Sequence, residues 1–520
     1  MSHRVSWEYA TSEDVAMDGV QPSWSPASAV WNTGRQLSGW LFPNPSLFSP
    51  SSHAVQAKYV DHDSFHVPSR SFHAPNDMDV DDYEDIKQSA TKIHFNAIPV
   101  EILGEIFLHY ARLPNDINSS TRHAYGRVSV SKRASTSPIA LGHVCSYWRT
   151  LSLSMPILWS TISVIHPTPK DTQVLSTWIA RSGWCPLRMT IIQKPSRGRG
   201  EPDRAINVIL RLALEQRHRW QHISLQLAGD NESIFSGLEV GAYPSLETFH
   251  LDLKGWSQAG ASMLCRSLYL SPNLRTIRFA KSWVRDPELL EAPWDQLTCI
   301  ELNQVNWVDL VPLLSRASKL KKLVISALAG VSTGIVKDVI LLPCLITLDL
   351  GLVDDVGLLF EYLTLPALSC LKLQSGFGVT AIASATWPIL QTCLLASKCS
   401  LRSFSCANMA NDEPVLLNML SSPVMANLID LSIESKVTDR LLAALTVDNE
   451  TFILPRLQTL SLLSLHSTDI SLSLALLIES RRRLSNILQS VRANVYSEVD
   501  SPRVDAVSIS GVLLDVRYCF

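Results

Sequence analysis

The sequence predicts an α/β protein in which a small N-terminal helical module precedes a long solenoid of strand–helix units, with a disordered tail ahead of both. Three observations carry that expectation. A phrase of the form leucine-x-x-leucine-x-leucine recurs through the second half of the chain, its leading leucines 23 to 33 residues apart. Apolar residues at helical spacing gather in short segments between residues 98 and 159, and again between the repeated phrases. Residues 1–90 show no sustained periodicity and carry segments such as Pro43-Asn44-Pro45 and Ser49-Pro50-Ser51-Ser52.

The tail has two further features. Trp7, Trp24, Trp31 and Trp40 are unusual in such a segment and read either as scattered apolar residues or as a short linear motif for a partner. The acidic run Asp77, Asp79, Asp81, Asp82, Glu84 and Asp85 reads as solvated linker, because it lacks the glycine and terminal glutamate of a calcium loop.

The helical module spans 91–165. Asn96 suits an N-cap and Pro99 a first helical turn, where its missing N–H has no partner to lose. Ile98, Ile102, Leu103, Ile106, Phe107 and Tyr110 then form one apolar stripe. A second helix follows the same grammar: Ser137 as cap, Pro138 in the first turn, and Leu141, Val144, Cys145 and Trp148 on one face. A third piece runs from Thr150 to the Met155-Pro156 break and ends in Ile157-Leu158-Trp159. Three short helices are too few to bury all these side chains, which leaves apolar surface for a partner.

This pattern resembles the F-box, more narrowly the F-box-like module expanded in fungi. Ile98 to Leu103 matches its Leu-Pro-x-Glu-Ile-Leu opening, Val144 to Arg149 its Val-Cys-x-x-Trp-Arg element, and Pro156 to Trp159 its closing Pro-x-Leu-Trp. Ile98 replaces the usual leucine, and a polar, basic insertion at 112–136 separates the first two helices by more than the compact form allows. The resemblance implies docking to a Skp-type adaptor and, through it, a cullin. The contact residues it implies are Ile98, Pro99, Ile102, Leu103, Ile106 and Phe107, with Val144, Cys145 and Trp148 bracing them or sharing the contact. Trp159 is expected to seal the junction to the repeats.

The solenoid is expected over 166–520. Thr161 to Pro167 reads as a strand, residues 172–182 as an amphipathic helix built on Val174, Leu175, Trp178 and Ile179, and Pro186 to Ile191 as a second strand. Pro195 to Pro202 is a loop whose glycines do not follow a phosphate-binding order. Repeated phrases begin at Leu246, Leu274, Leu297, Leu320, Leu345, Leu368, Leu428 and Leu457, with a degenerate copy at Leu401 and an early one at Ile223 to Leu227. Their period is close to that of leucine-rich repeats. Helical phrases such as Leu310 to Leu314 and Leu416 to Leu420 lie between them, and Pro244, Pro272, Pro343, Pro366 and Pro455 stand just ahead of strands.

One such unit cannot bury its leucines alone, so stacked units are expected to share a core and present a parallel sheet on a concave side. The leucines are core. A target-binding surface is expected at outward strand positions: His250, Asp252, Arg278, Glu301, Asn303, Lys322, Asp349, Lys372, Gln374 and Asp430. Alternating polar residues are also what any solvated strand face shows. Trp256, Trp283 and Trp307 read as packing caps or as one rim of that surface.

Composition narrows the function. A net charge of −3 over 520 residues gives no electrostatic case for nucleic acid or membrane binding. No run of some eighteen apolar residues occurs, and the apolar stretch Ile470 to Ile478 is broken by serines and followed by Arg481-Arg482-Arg483, as in a buried helix. Met1 to Ala10 has no apolar core of a secretory signal, and the ten cysteines show no tight pairing pattern, so reduced thiols in the cytoplasm or nucleus are expected. Cys393, Cys399 and Cys406 fit no zinc spacing. No nucleophile elbow appears, and Asp354-Asp355 reads as a charged turn. The expectation is a non-catalytic subunit without a cofactor, a substrate receptor of a cullin-based ubiquitin ligase with an unknown protein target. The alternative is a scaffold whose helices only cap the first repeat.

Overall fold

The computed structural model describes residues 98–112, 138–193, 204–236, 243–279, 291–329, 339–352, 357–375, 386–407, 413–435, 437–447, 453–465, 470–485, 487–495 and 512–518. The tail over 1–90, Asn96, Ser137, the insertion beyond residue 112, the 195–202 loop, Trp283 and Asp354-Asp355 lie outside the described residues. The described residues belong to one unit, 93–520.

Three helices come first: α1 (Val100–Arg112), α2 (Pro138–Gly142) and α3 (Ser146–Ser154), followed by a single tight turn, Pro156–Trp159. Strands and helices then alternate. The sequence continues as β1 (Thr161–Ile165), α4 (Pro169–Arg181), β2 (Leu187–Ile192), α5 (Arg204–Glu215), β3 (Trp220–Ala228), α6 (Glu232–Phe235), β4 (Thr248–Lys254), α7 (Gln258–Tyr269), β5 (Thr276–Phe279), β6 (Cys299–Asn306) and α8 (Trp307–Leu314). Four strands follow, with no α-helix between them among the described residues: β7 (Lys322–Ala329), β8 (Ile340–Leu341), β9 (Thr347–Leu352) and β10 (Leu363–Thr364). The chain ends with β11 (Cys370–Ser375), α9 (Thr386–Ser397), β12 (Ser403–Ala407), α10 (Glu413–Leu420), β13 (Asp430–Glu434), α11 (Asp439–Leu445), β14 (Thr459–Leu465), α12 (Ile470–Ser485), β15 (Ser490–Val495) and β16 (Leu513–Tyr518).

Fourteen strands form one sheet in chain order, from β1 to β16, every neighbouring pair parallel; β8 and β10 pair with each other outside it. The fold is therefore α/β with a large parallel sheet, compatible with a repeat solenoid. Parallel neighbours need a crossover, and right-handed crossovers between strands in sequential order place every helix on the same face. Successive helices accordingly touch: α4 with α5, α5 with α6, α9 with α10 and α11 with α12. The opposite face is open, which is why the strands alternate. In β4, Phe249, Leu251 and Leu253 are buried while His250 and Asp252 are only partly covered. One core runs without a break from Leu103 and Phe107 to Val491 and Val512.

The leading leucine of most repeats closes a turn. Leu246, Leu274, Leu345, Leu368 and Leu457 donate their N–H to the carbonyl three residues back (Tyr243, Ser271, Leu342, Leu365 and Leu454). Pro244, Pro272, Pro343, Pro366 and Pro455 occupy the second position of these turns, where a fixed φ is favourable. Proline thus sets the approach to the strand.

Two local features hold the stack together at points where the simple repeat fails. Between β7 and β9 the register passes from Ile325↔Leu350 to Leu328↔Leu352, so Ser326 and Ala327 face Gly351 alone. This bulge brings the Ser326 carbonyl to 1.8 Å from where a Cβ on Gly351 would stand. Near the C-terminus, Arg481 at the end of α12 is 2% exposed and donates to Leu445 O (2.8 Å), Leu454 O (3.0 Å) and Ile453 O (2.9 Å). Leu454 has φ of 53°, left-handed for a residue with a side chain, so the guanidinium pins a strained turn. Burial lowers the pKa of Arg481 to about 10.

The helical segment departs from expectation in two ways. The second helix is broken into α2 and α3: Gly142 ends the first, and Cys145, with extended backbone, starts the second by accepting Trp148 N–H on Sγ at 3.4 Å. The stripe on α1 is divided as well. Consecutive helical residues project about 100° apart, so Leu103 and Phe107 turn inward (1% and 0% exposed) while Ile102 and Ile106 stay in solvent.

Candidate functional site

Two surfaces carry the residues singled out from sequence. The first is the outer side of α1, α2 and α3. Ile102 is 54% exposed, Ile106 46% and Val144 60%; Ile139, Tyr147 and Leu153 are also exposed. Of the sixteen large apolar side chains exposed among the described residues, five fall on these three helices and a sixth, Val144, on the turn between α2 and α3. Ile98 is half-buried against the core and Pro99 is exposed. Phe107 and Trp148 meet edge to face, ring centroids 4.9 Å apart, so Trp148 braces α1 from α3 and is itself half-buried. Cys145 serves as the cap of α3.

Trp159 lies behind this surface. Its indole N–H donates to Ser152 O at 2.9 Å, its ring meets Trp178 of α4 at 5.2 Å, and the Arg181 guanidinium sits 4.5 Å from its centroid. It therefore packs between α3 and α4, next to Ile162 and Val164 of β1 in the shared core. Sequence reasoning missed Trp184, which is 89% exposed on the turn after α4. Gly183 gives that turn its left-handed residue (φ 52°), and the buried Arg219 guanidinium binds the flanking carbonyls of Ser182 and Cys185.

The second surface is the open face of the sheet. Register pairs His250 with Arg278 and Arg278 with Glu301, then Glu301 with Val324, Val324 with Asp349, and Asp349 with Lys372. These side chains form one row across six strands. Arg278 Nε lies 3.4 Å from Glu301, and Lys322 Nζ 2.7 Å from the other oxygen of the same carboxylate. Burial pulls the Lys322 ammonium pKa down, but the bond to Glu301 and its charge outweigh this and the net shift is upward. Lys372 and Asp349 pair at 3.7 Å. His250 Nδ1 lies 3.1 Å from Ser224 Oγ.

The remaining candidates are spread more widely. Asn303 and Gln374 lie one step further along their strands and Asp252 pairs in register with Gln226; Asp430 is exposed on β13, apart from the charged row. Burial raises the Asp252 carboxyl pKa against the pull of Lys254. Arg188 and His222 at the start of the face, and Arg492 with Asp515 (3.0 Å) at its far end, belong to the same surface and went unnoticed in sequence. Their alternation with buried residues was the available signal. Trp256 and Trp307 are buried packing residues, Trp256 donating to Ala228 O at 3.0 Å.

His222 gives the face a titratable weak point. Burial, then the charges of Arg188 and Arg278, lower its pKa from 6.5 to about 4 against the opposing effect of Glu247. Its Nε2 is buried with no hydrogen-bond partner among the described residues. A depressed folded pKa means that the stability contribution is full above pH 6.5 and is lost as pH falls towards about 4. The urea midpoint of the native chain should therefore fall more steeply over that window than that of His222→Gln; parallel pH profiles would assign the loss to another group.

Chemistry-bearing clusters are sparse. Among the described residues no group of three His, Cys, Asp or Glu could hold a metal ion. Burial pushes the Cys393 thiol to about 11 and the Cys406 thiol to about 12, and Cys393 Sγ donates to Leu363 O at 3.3 Å. A cavity between α8 and the neighbouring strands is lined by apolar side chains, among them Trp307, Leu310, Leu323 and Leu350. Among the described residues no helix is long and apolar enough to cross a membrane.

No protein-family model matches the chain. No curated protein matches it either. Among solved structures it is similar to a Bacteroides fragilis protein determined by a structural genomics consortium, at 15% identity and a TM-score of 0.30. That similarity covers 60% of this chain and 82% of the other, and is too distant to carry a fold assignment.

Proposed function

We propose that the chain is the substrate-recognition subunit of a cullin-based ubiquitin ligase, with no catalytic step of its own. In this reading α1 to α3 are an F-box-like module that docks a Skp-type adaptor, and the parallel sheet is a leucine-rich-repeat solenoid whose open face holds a target protein. Such a receptor acts by raising the local concentration of target near the transferring enzyme. The observation that carries the reading is the exposure of Ile102 and Ile106 on α1, whose inward side chains are already buried, and of Val144 on the turn between α2 and α3. Apolar side chains gathered in one short segment mark a place where a partner excludes water.

The exposed and buried halves of α1 make the test clean. The full chain with Ile102→Asp/Ile106→Asp should lose co-purification with a purified Skp-type adaptor while its melting temperature stays within a few degrees, because neither side chain is part of the core. Leu103→Asp should unfold the segment instead. Retention of the adaptor by the double variant, or no capture by the unmutated chain, would reject the receptor reading.

A second reading draws on a different observation. Leu151, Met155, Leu158 and Trp159 are continuous in one core with Ile162 and Val164 of the first strand. In this reading the helices only cover the end of the sheet, as any repeat array requires. An adaptor-independent interaction scaffold needs nothing more from them, and the same pull-down separates the two.

A further inference from the structure

The turns that lead into β5, β6 and β7 stand side by side, since neighbouring strands lie about 4.8 Å apart. Arg275 immediately precedes β5, and Lys319 and Lys321 precede β7; all three are exposed. The backbone holds them in register: Thr298 N donates to Arg275 O and Lys321 N to Thr298 O, each at 2.8 Å. Arg316 is on the same rim, just past the end of α8, where the helix dipole favours a cation. Lys319 and Lys321 follow no helix end so closely, and Arg275 reaches only the carbonyls of Leu274 and Gln296, each at the long distance of 3.5 Å. One step into the strands, Arg278 and Lys322 hold the single carboxylate of Glu301 between them. With Asp295 in the turn before β6, and Glu247 in the turn before β4, whose carbonyl accepts the Arg275 N–H, six cations stand against three carboxylates, an excess of three positive charges on a chain whose net charge is −3.

We propose that this rim binds a short acidic segment of a partner protein, its carboxylates meeting Arg275, Lys319 and Lys321. The proposal rests on the reading of the sheet as the target-holding surface, and is independent of adaptor docking. A polypeptide fits better than a nucleic acid because the excess is confined to three strands, about 10 Å across. A duplex needs a longer basic track, and the net negative charge of the chain opposes an extended polyanion. Thr298 and Gln296 lie among the cations and already donate to the carbonyls of Arg275 and Ser271, so that their oxygens remain to accept from a peptide backbone.

Fluorescence anisotropy of the full chain with a labelled oligo-glutamate peptide tests this, with a single-stranded oligonucleotide of similar charge as competitor. We expect binding that weakens steeply with added salt, and at least tenfold weaker binding by Arg275→Glu/Lys319→Glu/Lys321→Glu. Arg456→Glu, on the rim several strands away, should bind as the native chain does. The triple variant alters only exposed side chains, and its melting curve and adaptor capture should match those of the native chain. No peptide binding by the native chain, equal binding by the triple variant, or tighter binding of the oligonucleotide would each overturn the proposal. A target protein held equally by native and triple-variant chains would leave the target-holding reading intact and remove only its acidic chemistry.

Discussion

Gly351→Ala is expected to destabilise the chain by about 3 kcal/mol or more, because the added methyl has nowhere to go. Its Cβ would stand 1.8 Å from the Ser326 carbonyl oxygen and 2.6 Å from its carbon. Both are backbone atoms, so no side chain can swing aside. Relief would require undoing the bulge in β7, and with it the pairing of Leu328 with Leu352. Gly104→Ala is the matched control: its Cβ would meet only the tip of the Met155 side chain, at 3.4 Å, and the cost should stay under about 1 kcal/mol. Urea midpoints of the two variants against the native chain decide the point. Equal midpoints would mean that β7 has no bulge at Ser326 and Ala327.

Arg481→Met should cost about 2–5 kcal/mol, although a thioether side chain of similar length replaces it, because buried acceptors lose their donor. Removing the guanidinium strands the carbonyls of Leu445 and Ile453 and leaves Leu454 O with the Leu457 N–H alone; Arg481 binds each of the three at 3.0 Å or less. It also releases the left-handed turn at Leu454. Arg481→Lys keeps a cation but offers no fork to three diverging acceptors, and should fall between the native chain and Arg481→Met. Because units in a linear array contact only their neighbours, hydrogen exchange should quicken first in α11, β14 and α12 and leave β2 to β4 protected. Uniform acceleration through the whole sheet would contradict this.

The parts of the fold that were legible in sequence owe this to leucine at fixed offsets. β4, β5, β6, β7, β9, β11, β13 and β14 each follow a leucine phrase, because the core admits one side-chain shape at each such position. β15 was missed since its phrase, Leu488-Gln489-Ser490-Val491-Arg492-Ala493, puts valine and alanine where leucine is usual. β16 has no leading leucine at all; Gly511 stands 23 residues after Leu488. The bulge could not have been read from Gly351, which looks like any loop glycine until its partner strand is known. On α1 the failure was different. Composition cannot say which half of a wide apolar stripe meets the core, and only packing separates Leu103 and Phe107 from Ile102 and Ile106.

On the open face, the polar positions were found by alternation, but their mutual pairing was not. Arg278, Glu301 and Lys322 sit in three separate phrases, and only the register joins them. Arg188 and His222 were passed over because they precede the clear repeats, where the period is irregular and the strand signal weak.

The strand order has a kinetic consequence. Every strand in the large sheet pairs with the strand next to it in the chain order, at offsets such as 23 residues (Thr276↔Cys299), 33 (Cys370↔Ser403) or 23 (Ser490↔Leu513). These separations are roughly a twentieth of the chain length, a relative contact order closer to that of helical bundles than of sandwiches built from distant strands. Loop closure is then a short, repeated search rather than one long one. Each unit can dock as soon as its predecessor is formed, so the sheet should assemble progressively as the chain emerges during synthesis, beginning at β1.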